Sequence, residues 1–356
     1  MDLGKTAFIV GGTGQIGSAA ARHLAQAGWS VLLGHRGVHG GDPSLAELDV
    51  TTVRVDRDDT DALVQLADGN DLVLDTIAYE PKHADQLAKL SGRVGSIVVI
   101  STAAVYRDAE GRNIDGASDE ARFPRFAVPI DETQPTMTDG PPTYGVLKAQ
   151  LERALMDVDD LPVSILRPGA VHGPFSEALR EWYFVARVRD RRDHAVLAYD
   201  GGSRFNPTST SAIAEVTRLC GEQPGKRVLN VADDDVSVTD IAHAVFDAMG
   251  HELELIPVPG APEHGVGSTP CSTPAPVVLS TARARDELGF VLPAPYHRSV
   301  LDDIEWIVDV VDGAKRRQIS WRELFPHLVL RYGADAWFDY AAEDAFLGSR
   351  GHPLVE

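Results

Sequence analysis

The sequence is short of several things, and each shortage excludes a class of protein. Its two cysteines, Cys220 and Cys271, cannot build a disulfide framework and have no metal-ligand spacing, so no metal site is expected. A reduced, cytoplasmic compartment is the natural setting for so few thiols. No apolar run reaches the ~18 to 20 residues needed to cross a bilayer. The opening Met-Asp-Leu-Gly-Lys-Thr leads straight into an apolar strand without signal-peptide organisation. Positive charge is scarce: 33 Lys and Arg stand against 53 Asp and Glu, a net charge of −20. That field repels a nucleic-acid backbone and an anionic membrane alike, so neither is expected as a partner. The same acidity also serves solubility. A small-molecule substrate is the expected partner, with a homodimer left open.

What remains is ordinary globular material, 44% hydrophobic and 24% charged. A chain of 356 residues suits one large domain or two closely joined ones. The first half alternates short apolar runs with helical patterns, which predicts a parallel sheet with crossover helices. Strands are expected over 7–10, 30–33, 52–55, 72–74, 96–100 and 163–166, with helices over 15–27, 60–67, 81–90 and 144–158. The expected fold is α/β, a doubly wound parallel (Rossmann) sheet with a smaller C-terminal α+β part. After Pro174 the rhythm loosens into helical stretches at 176–191, 211–220, 238–249 and 298–311 with short strands between. Two segments read as loops: the polar run 107–125 and the Gly-, Pro-, Ser- and Thr-rich run 260–276. A long loop in a compact domain often covers a site. The division expected is a dinucleotide-binding part over 1–174, with later segments returning to it, a substrate-binding part over 175–312, and an aromatic-rich helical extension over 313–356. There is no internal repeat.

The run Val10-Gly11-Gly12-Thr13-Gly14-Gln15-Ile16-Gly17 follows a strand and opens a helix. Gly11 permits the tight turn, Gly14 lets backbone approach a pyrophosphate, and Gly17 lets helix pack on strand. The helix start then offers unpaired N–H donors and a partial positive charge to phosphate. This G-x-x-G-x-x-G spacing resembles the short-chain dehydrogenase/reductase superfamily, in particular its extended branch of NAD-dependent epimerases and dehydratases.

That resemblance assigns roles further along the chain. In members that use NAD, an acidic residue ends the second strand; here His35 holds that place and Arg36 follows it. A guanidinium suits a 2′-phosphate and no carboxylate is present for ribose hydroxyls, which favours NADP over NAD. Asp56, with Arg57, sits where relatives hold the adenine, and Thr76-Ile77-Ala78 corresponds to the segment whose backbone lines the cofactor. Asp58 and Asp59 are better read as helix-start carboxylates.

The fifth strand ends Ser101-Thr102-Ala103-Ala104-Val105-Tyr106, similar to the branch's S-S-x-x-V-Y, which places the catalytic hydroxyl at Thr102, with Ser101 as the alternative. Tyr144-Gly145-Val146-Leu147-Lys148 is a Y-x-x-x-K at a helix start, and a spacing of four puts phenol and ammonium on one face. A phenol gives up its proton near pH ~10, and an adjacent ammonium favours the phenolate. Tyr144 thereby becomes a general acid/base suited to neutral pH. By resemblance, Lys148 also binds the nicotinamide ribose, and Leu166-Arg167-Pro168-Gly169-Ala170-Val171-His172-Gly173-Pro174 matches L-R-P-x-x-V-Y-G-P, with Pro168, Gly169 and Val171 beside the nicotinamide. The run 280–290 resembles the branch's K-A-x-x-x-L-G-F region.

Departures narrow the reaction. Ala103 and Ala104 replace the Asp-Glu that dehydratases use for water loss. Ala170 replaces the Asn with which sugar-nucleotide epimerases meet a diphosphate, and His172 replaces a Tyr. Arg204 lies near the place of a phosphate-binding Arg. Ala103, His172 and Arg204 are the candidate substrate contacts. The expected function is hydride transfer between NADP and a carbonyl or alcohol carbon of a small metabolite. The alternatives are a sugar-nucleotide 4-epimerase with tightly held NAD, and a non-catalytic NAD(P)-sensing regulator, a class that commonly loses the Tyr/Lys pair kept here.

Overall fold

Strands that are apolar on both faces must be covered on both sides, and crossover helices do the covering. The structure, a computed structural model, describes residues 4–37, 41–117, 119–333 and 337–351. The opening residues 1–3 and the end of the expected helical tail, 352–356, lie outside the described residues. In chain order, β1 (Thr6–Val10), α1 (Gln15–Gln26), β2 (Ser30–His35), β3 (Val50–Arg54), α2 (Thr60–Ala67), β4 (Leu72–Asp75), α3 (Pro81–Ala88), β5 (Ser96–Ile100), α4 (Tyr144–Met156) and β6 (Val163–Pro168) form the first half. There follow β7 (Ala170–His172), α5 (Trp182–Arg189), β8 (His194–Leu197), β9 (Arg204–Phe205), β10 (Pro207–Ser209), α6 (Thr210–Glu222), β11 (Arg227–Val231), β12 (Val236–Ser237), α7 (Val238–Met249) and β13 (Glu254–Pro257). The helices α8 (Ala282–Leu288), α9 (Tyr296–Ser299), α10 (Leu301–Arg316), α11 (Trp321–Leu324), α12 (Pro326–Tyr332) and α13 (Tyr340–Ser349) complete the chain.

The main sheet has seven parallel strands in the order β11-β6-β5-β4-β1-β2-β3. Strand order reverses between β1 and β4, where Val10 pairs with Asp75 on one side and Gly34 on the other. The loops leaving these strands part in opposite directions and open a crevice at their carboxyl ends, the place where doubly wound sheets bind ligands. One face of the sheet is packed by Leu24, Trp29, Ile213 and Leu219, the other by Leu63, Leu87, Leu151 and Leu155. A separate core joins Trp182, Tyr183 and Phe184 of α5 to Phe246, Ile307, Phe325 and Trp337.

The parallel sheet is as the sequence reading expects, with three differences in its elements. The seventh strand, β11, was not anticipated. The helix expected over 176–191 is confined to α5, and the one expected over 298–311 is divided into α9 and α10. The loop 107–125 is ordered by one buried carboxylate: Asp108 accepts from the backbone N–H groups of Glu110, Arg112 and Arg125. Among the described residues, no helix is long and apolar enough to cross a membrane.

Candidate active site

The glycine turn is held by backbone alone. Gly11 has φ +81, and the N–H groups of Gly11 and Gly12 both donate to the Gly34 carbonyl at 3.1 Å. A Cβ on Gly11 would stand 2.3 Å from Thr76 Oγ1, and one on Gly17 would stand 2.5 Å from the Gly11 carbonyl. Both distances are far inside contact, so the turn tolerates only glycine there. The Thr76 hydroxyl donates to the Val10 carbonyl at 2.9 Å and closes β4 against β1. Gly14 is the N-cap of α1 and supplies no capping side chain, and no acidic residue lies in the first turn. The helix therefore presents uncapped N–H donors to the crevice, which fits a dinucleotide pyrophosphate. Thr13 and Ile16 flank this turn half-buried, and Gln15 Nε2 donates to the Gly173 carbonyl at 3.0 Å.

At the end of β2, His35 is half-buried and its Nδ1 is enclosed without a partner, while Arg36 is exposed with no charged partner among the described residues. Asp56 is exposed and accepts from the Asp58 N–H at 3.0 Å, and Asp59 caps α2. The Arg57 side chain is buried, 2.7 Å from Asp75 Oδ2 and 2.6 Å from Gln86 Oε1. Asp75 Oδ1 in turn accepts from the N–H groups of Ile77 at 3.0 Å and Ala78 at 2.7 Å, which fixes the segment expected to line the cofactor. Ile77 is left 41% exposed, an apolar wall at the crevice.

Thr102, Tyr144 and Lys148 converge at the carboxyl end of β5. Gly145 makes this possible, since a Cβ there would meet the Ala104 carbonyl at 2.3 Å; α4 thus presses directly on the turn after Thr102. Thr143 caps α4, and the Gly145 N–H donates to Asp115 Oδ2 at 2.5 Å. Lys148 Nζ donates to the carbonyls of Ala78 at 2.6 Å and Ile100 at 2.7 Å and lies 5.8 Å from the centre of the Tyr144 ring. Burial pushes its ammonium down to about 8, against the opposing pull of Asp75 and Glu152. Tyr144 stacks on Tyr79 at 5.7 Å.

Of the two candidate hydroxyls, Ser101 is already committed to Glu152, which also holds Arg167 at 2.5 Å. Thr102 Oγ1 accepts from the Ala104 N–H at 3.1 Å and retains its own proton for a ligand. Glu152 was missed by the sequence reading, although Tyr144, Lys148 and Glu152 recur every four residues on one helical face. Asp75 was missed as well, and nothing in the sequence marks a strand-end Asp as the partner of Arg57.

Pro168 ends β6, and the Gly169 N–H donates to Thr208 Oγ1 at 2.9 Å. Val171 is half-buried in β7, paired with Thr208 of β10. His172 is buried, 2.8 Å from Asp233 Oδ2 and edge-on to Tyr296 at 5.3 Å. Ala103 is buried in the turn after Thr102. Arg204 is exposed but ion-paired with Asp235, which leaves its charge neutralised.

Sheet order and glycine turn together define a Rossmann fold built for a dinucleotide. The family model for the NAD-dependent epimerase/dehydratase family matches residues 7–204, more than half of the chain, and the chain belongs to that family of enzymes. No curated protein matches it significantly. Among solved structures, it is similar to UDP-glucuronic acid 4-epimerase from Bacillus cereus in complex with NAD (TM-score 0.64, 16% identity, 85% of this chain and 99% of that one). It is also similar to the Bordetella bronchiseptica enzyme WbmH in complex with NAD+ (TM-score 0.63, 18% identity, 86% and 99%). A third is dTDP-glucose 4,6-dehydratase from Bacillus anthracis in complex with NAD (TM-score 0.62, 14% identity, 86% and 98%). At these identities the likeness is one of fold.

Proposed function

We propose that this chain is an NADP(H)-dependent oxidoreductase acting on a carbonyl or alcohol of a small metabolite in the cytoplasm. The observation that carries the reading is the meeting of Thr102, Tyr144 and Lys148 beside an uncapped glycine turn. When bound, the nicotinamide supplies or accepts the hydride. Tyr144 gives its proton to the developing alkoxide, or takes it in the reverse direction. Thr102 donates a hydrogen bond to the same oxygen. Lys148, pinned by two carbonyls and still protonated at neutral pH, stabilises the phenolate that Tyr144 becomes. The exposed Arg36, without a charged partner among the described residues, supports NADP, because a guanidinium can hold the 2′-phosphate by paired hydrogen bonds.

The second reading, a sugar-nucleotide 4-epimerase with tightly bound NAD, draws support from the activities named for the structural neighbours. Against it stand Ala170, which offers a diphosphate no side-chain hydrogen bond, and Arg204, which is paired with Asp235. Thermal melting of the cofactor-bound protein with UDP and dTDP separates the two. The oxidoreductase reading expects no appreciable shift. A nucleotide present at ~100 times its dissociation constant would add ~2.7 kcal/mol and raise the melting temperature visibly. Such a rise, abolished by Arg204→Ala, would put the epimerase reading first.

A further inference from the structure

Behind the nicotinamide end of the crevice lies a buried group of ionisable residues for which the reaction has no use. One ring nitrogen of His172 and a carboxylate oxygen from each of Glu181 and Asp303 lie within 4.8 Å of one another. All three residues are buried. Asp233, also buried, orients the imidazole. It accepts from the Ser209 N–H at 3.0 Å, the Ser209 hydroxyl at 2.8 Å and the Ser299 hydroxyl at 3.1 Å. His172 Nε2 faces it at 2.8 Å, which leaves Nδ1 enclosed and unpartnered. A carboxylate that orients an imidazole through one nitrogen while the other is free is the arrangement found behind metal-bound histidines.

The carboxylates tell the same story. Tyr296 donates to Glu181 Oε1 at 3.2 Å and orients it. Asp303, fully buried, has its carboxyl turned to Glu181 and to the Gly173 backbone. Nearby, the half-buried Arg180 turns its Nη1 to the Val171 carbonyl at 3.1 Å.

We propose that His172, Glu181 and Asp303 bind a divalent transition-metal ion of the zinc or manganese class. One imidazole with two carboxylates suits such ions better than calcium or magnesium, which prefer oxygen alone. Ligand atoms ~2.1 Å from a tetrahedral ion stand about 3.4 Å apart, so atoms now within 4.8 Å of one another must close by up to about 1.4 Å through side-chain rotation. The ion would clamp β7, the start of α5 and α10 together and so fix Pro168–Val171 from behind. It is structural and takes no part in proton transfer.

Full-length protein is refolded in buffer containing zinc or manganese chloride, desalted, and its metal content measured per chain by mass spectrometry, for wild type, Asp303→Asn and Glu181→Gln. The expected result is about one equivalent in the wild type, little in either variant, and a melting temperature that a chelator lowers only in the wild type. Should Asp303→Asn fail to fold, Glu181→Gln carries the comparison. A wild type that stays metal-free in both buffers and does not respond to chelator overturns the proposal; Asp303→Asn melting above it would then assign a shared proton to the carboxyl pair. Equal metal in wild type and variants would place the ion elsewhere and overturn it too.

Discussion

Two regions of the molecule, the glycine-turn wall of the crevice and the wall of side chains around α5, are held in different ways. On the glycine-turn side, position is set by backbone: two amides on the Gly34 carbonyl, a left-handed Gly11, and contacts that exclude a Cβ at Gly17. On the side built by α5 and the C-terminal helices, it is set by side chains that meet across much of the chain. Arg187 is buried, stacks 3.7 Å from the Tyr183 ring centre, donates to the Trp337 carbonyl at 2.9 Å and pairs with Glu343 at 3.4 Å. Glu343 in turn accepts from the Val196 N–H at 3.0 Å. The backbone-built wall can be rigid while offering donors outward; the ion-paired wall spends its polar groups on itself.

Substitutions can sharpen or break this contrast. The largest effect is expected at Tyr144, where Tyr144→Phe removes one exchangeable proton from the crevice and should lower turnover by ~10² to 10⁴-fold while leaving the melting temperature and cofactor affinity nearly unchanged. Steady-state assays of NADPH oxidation with a panel of carbonyl compounds provide the reading, and full turnover with chemistry rate-limiting would remove Tyr144 from its role. On the other wall the cost should fall on stability. Arg187→Ala leaves the buried Glu343 with only Arg192, at 3.7 Å, as a cationic partner, and should cost on the order of 3 kcal/mol. Urea denaturation would show this, and a loss below ~1 kcal/mol would mean that the pair is not what holds the tail to α5.

A further effect, on the order of 3 kcal/mol, belongs to Lys148 and has a sign. Its folded-state value of about 8 lies below the ordinary 10.5, so over that window the unfolded chain binds more protons and stability gains as pH rises. Below pH 8 the cost of burying the ammonium is fully present. Stability of wild type minus that of Lys148→Met should therefore increase between pH 8 and about 10.5. Taking the difference cancels the thiols and phenols that titrate nearby, and a flat difference would contradict the buried ammonium.

The same contrast explains what the sequence disclosed. Strand, glycine turn and Y-x-x-x-K helix follow local rules of spacing and period, so the residues themselves announce them and their gathering at one end of a parallel sheet. His172 gave no such sign. It directly follows Val171, the last residue of the segment expected beside the nicotinamide, but its ring meets Asp233, a partner 61 residues away. Arg57 follows Asp56 and reads as outward-facing for the same reason, yet Asp75 at the end of β4 claims it. The strand β11 escaped because its five residues include Arg227 and a buried Asn230, whose amide bonds the Tyr106 hydroxyl at 2.6 Å and the Ile130 carbonyl at 3.0 Å. Polar residues satisfied by distant partners carry no periodic signal.

The central claim, a crevice built for NADP and hydride chemistry, is tested most directly at Arg36. Fluorescence titration of NADPH and NADH against the wild type and Arg36→Asp requires no knowledge of the substrate. The account predicts tighter NADPH than NADH binding in the wild type, and in the variant a loss confined mainly to NADPH, where attraction to the 2′-phosphate becomes repulsion. Equal affinity for the two cofactors in the wild type, or an Arg36→Asp variant that weakens both alike, would contradict it.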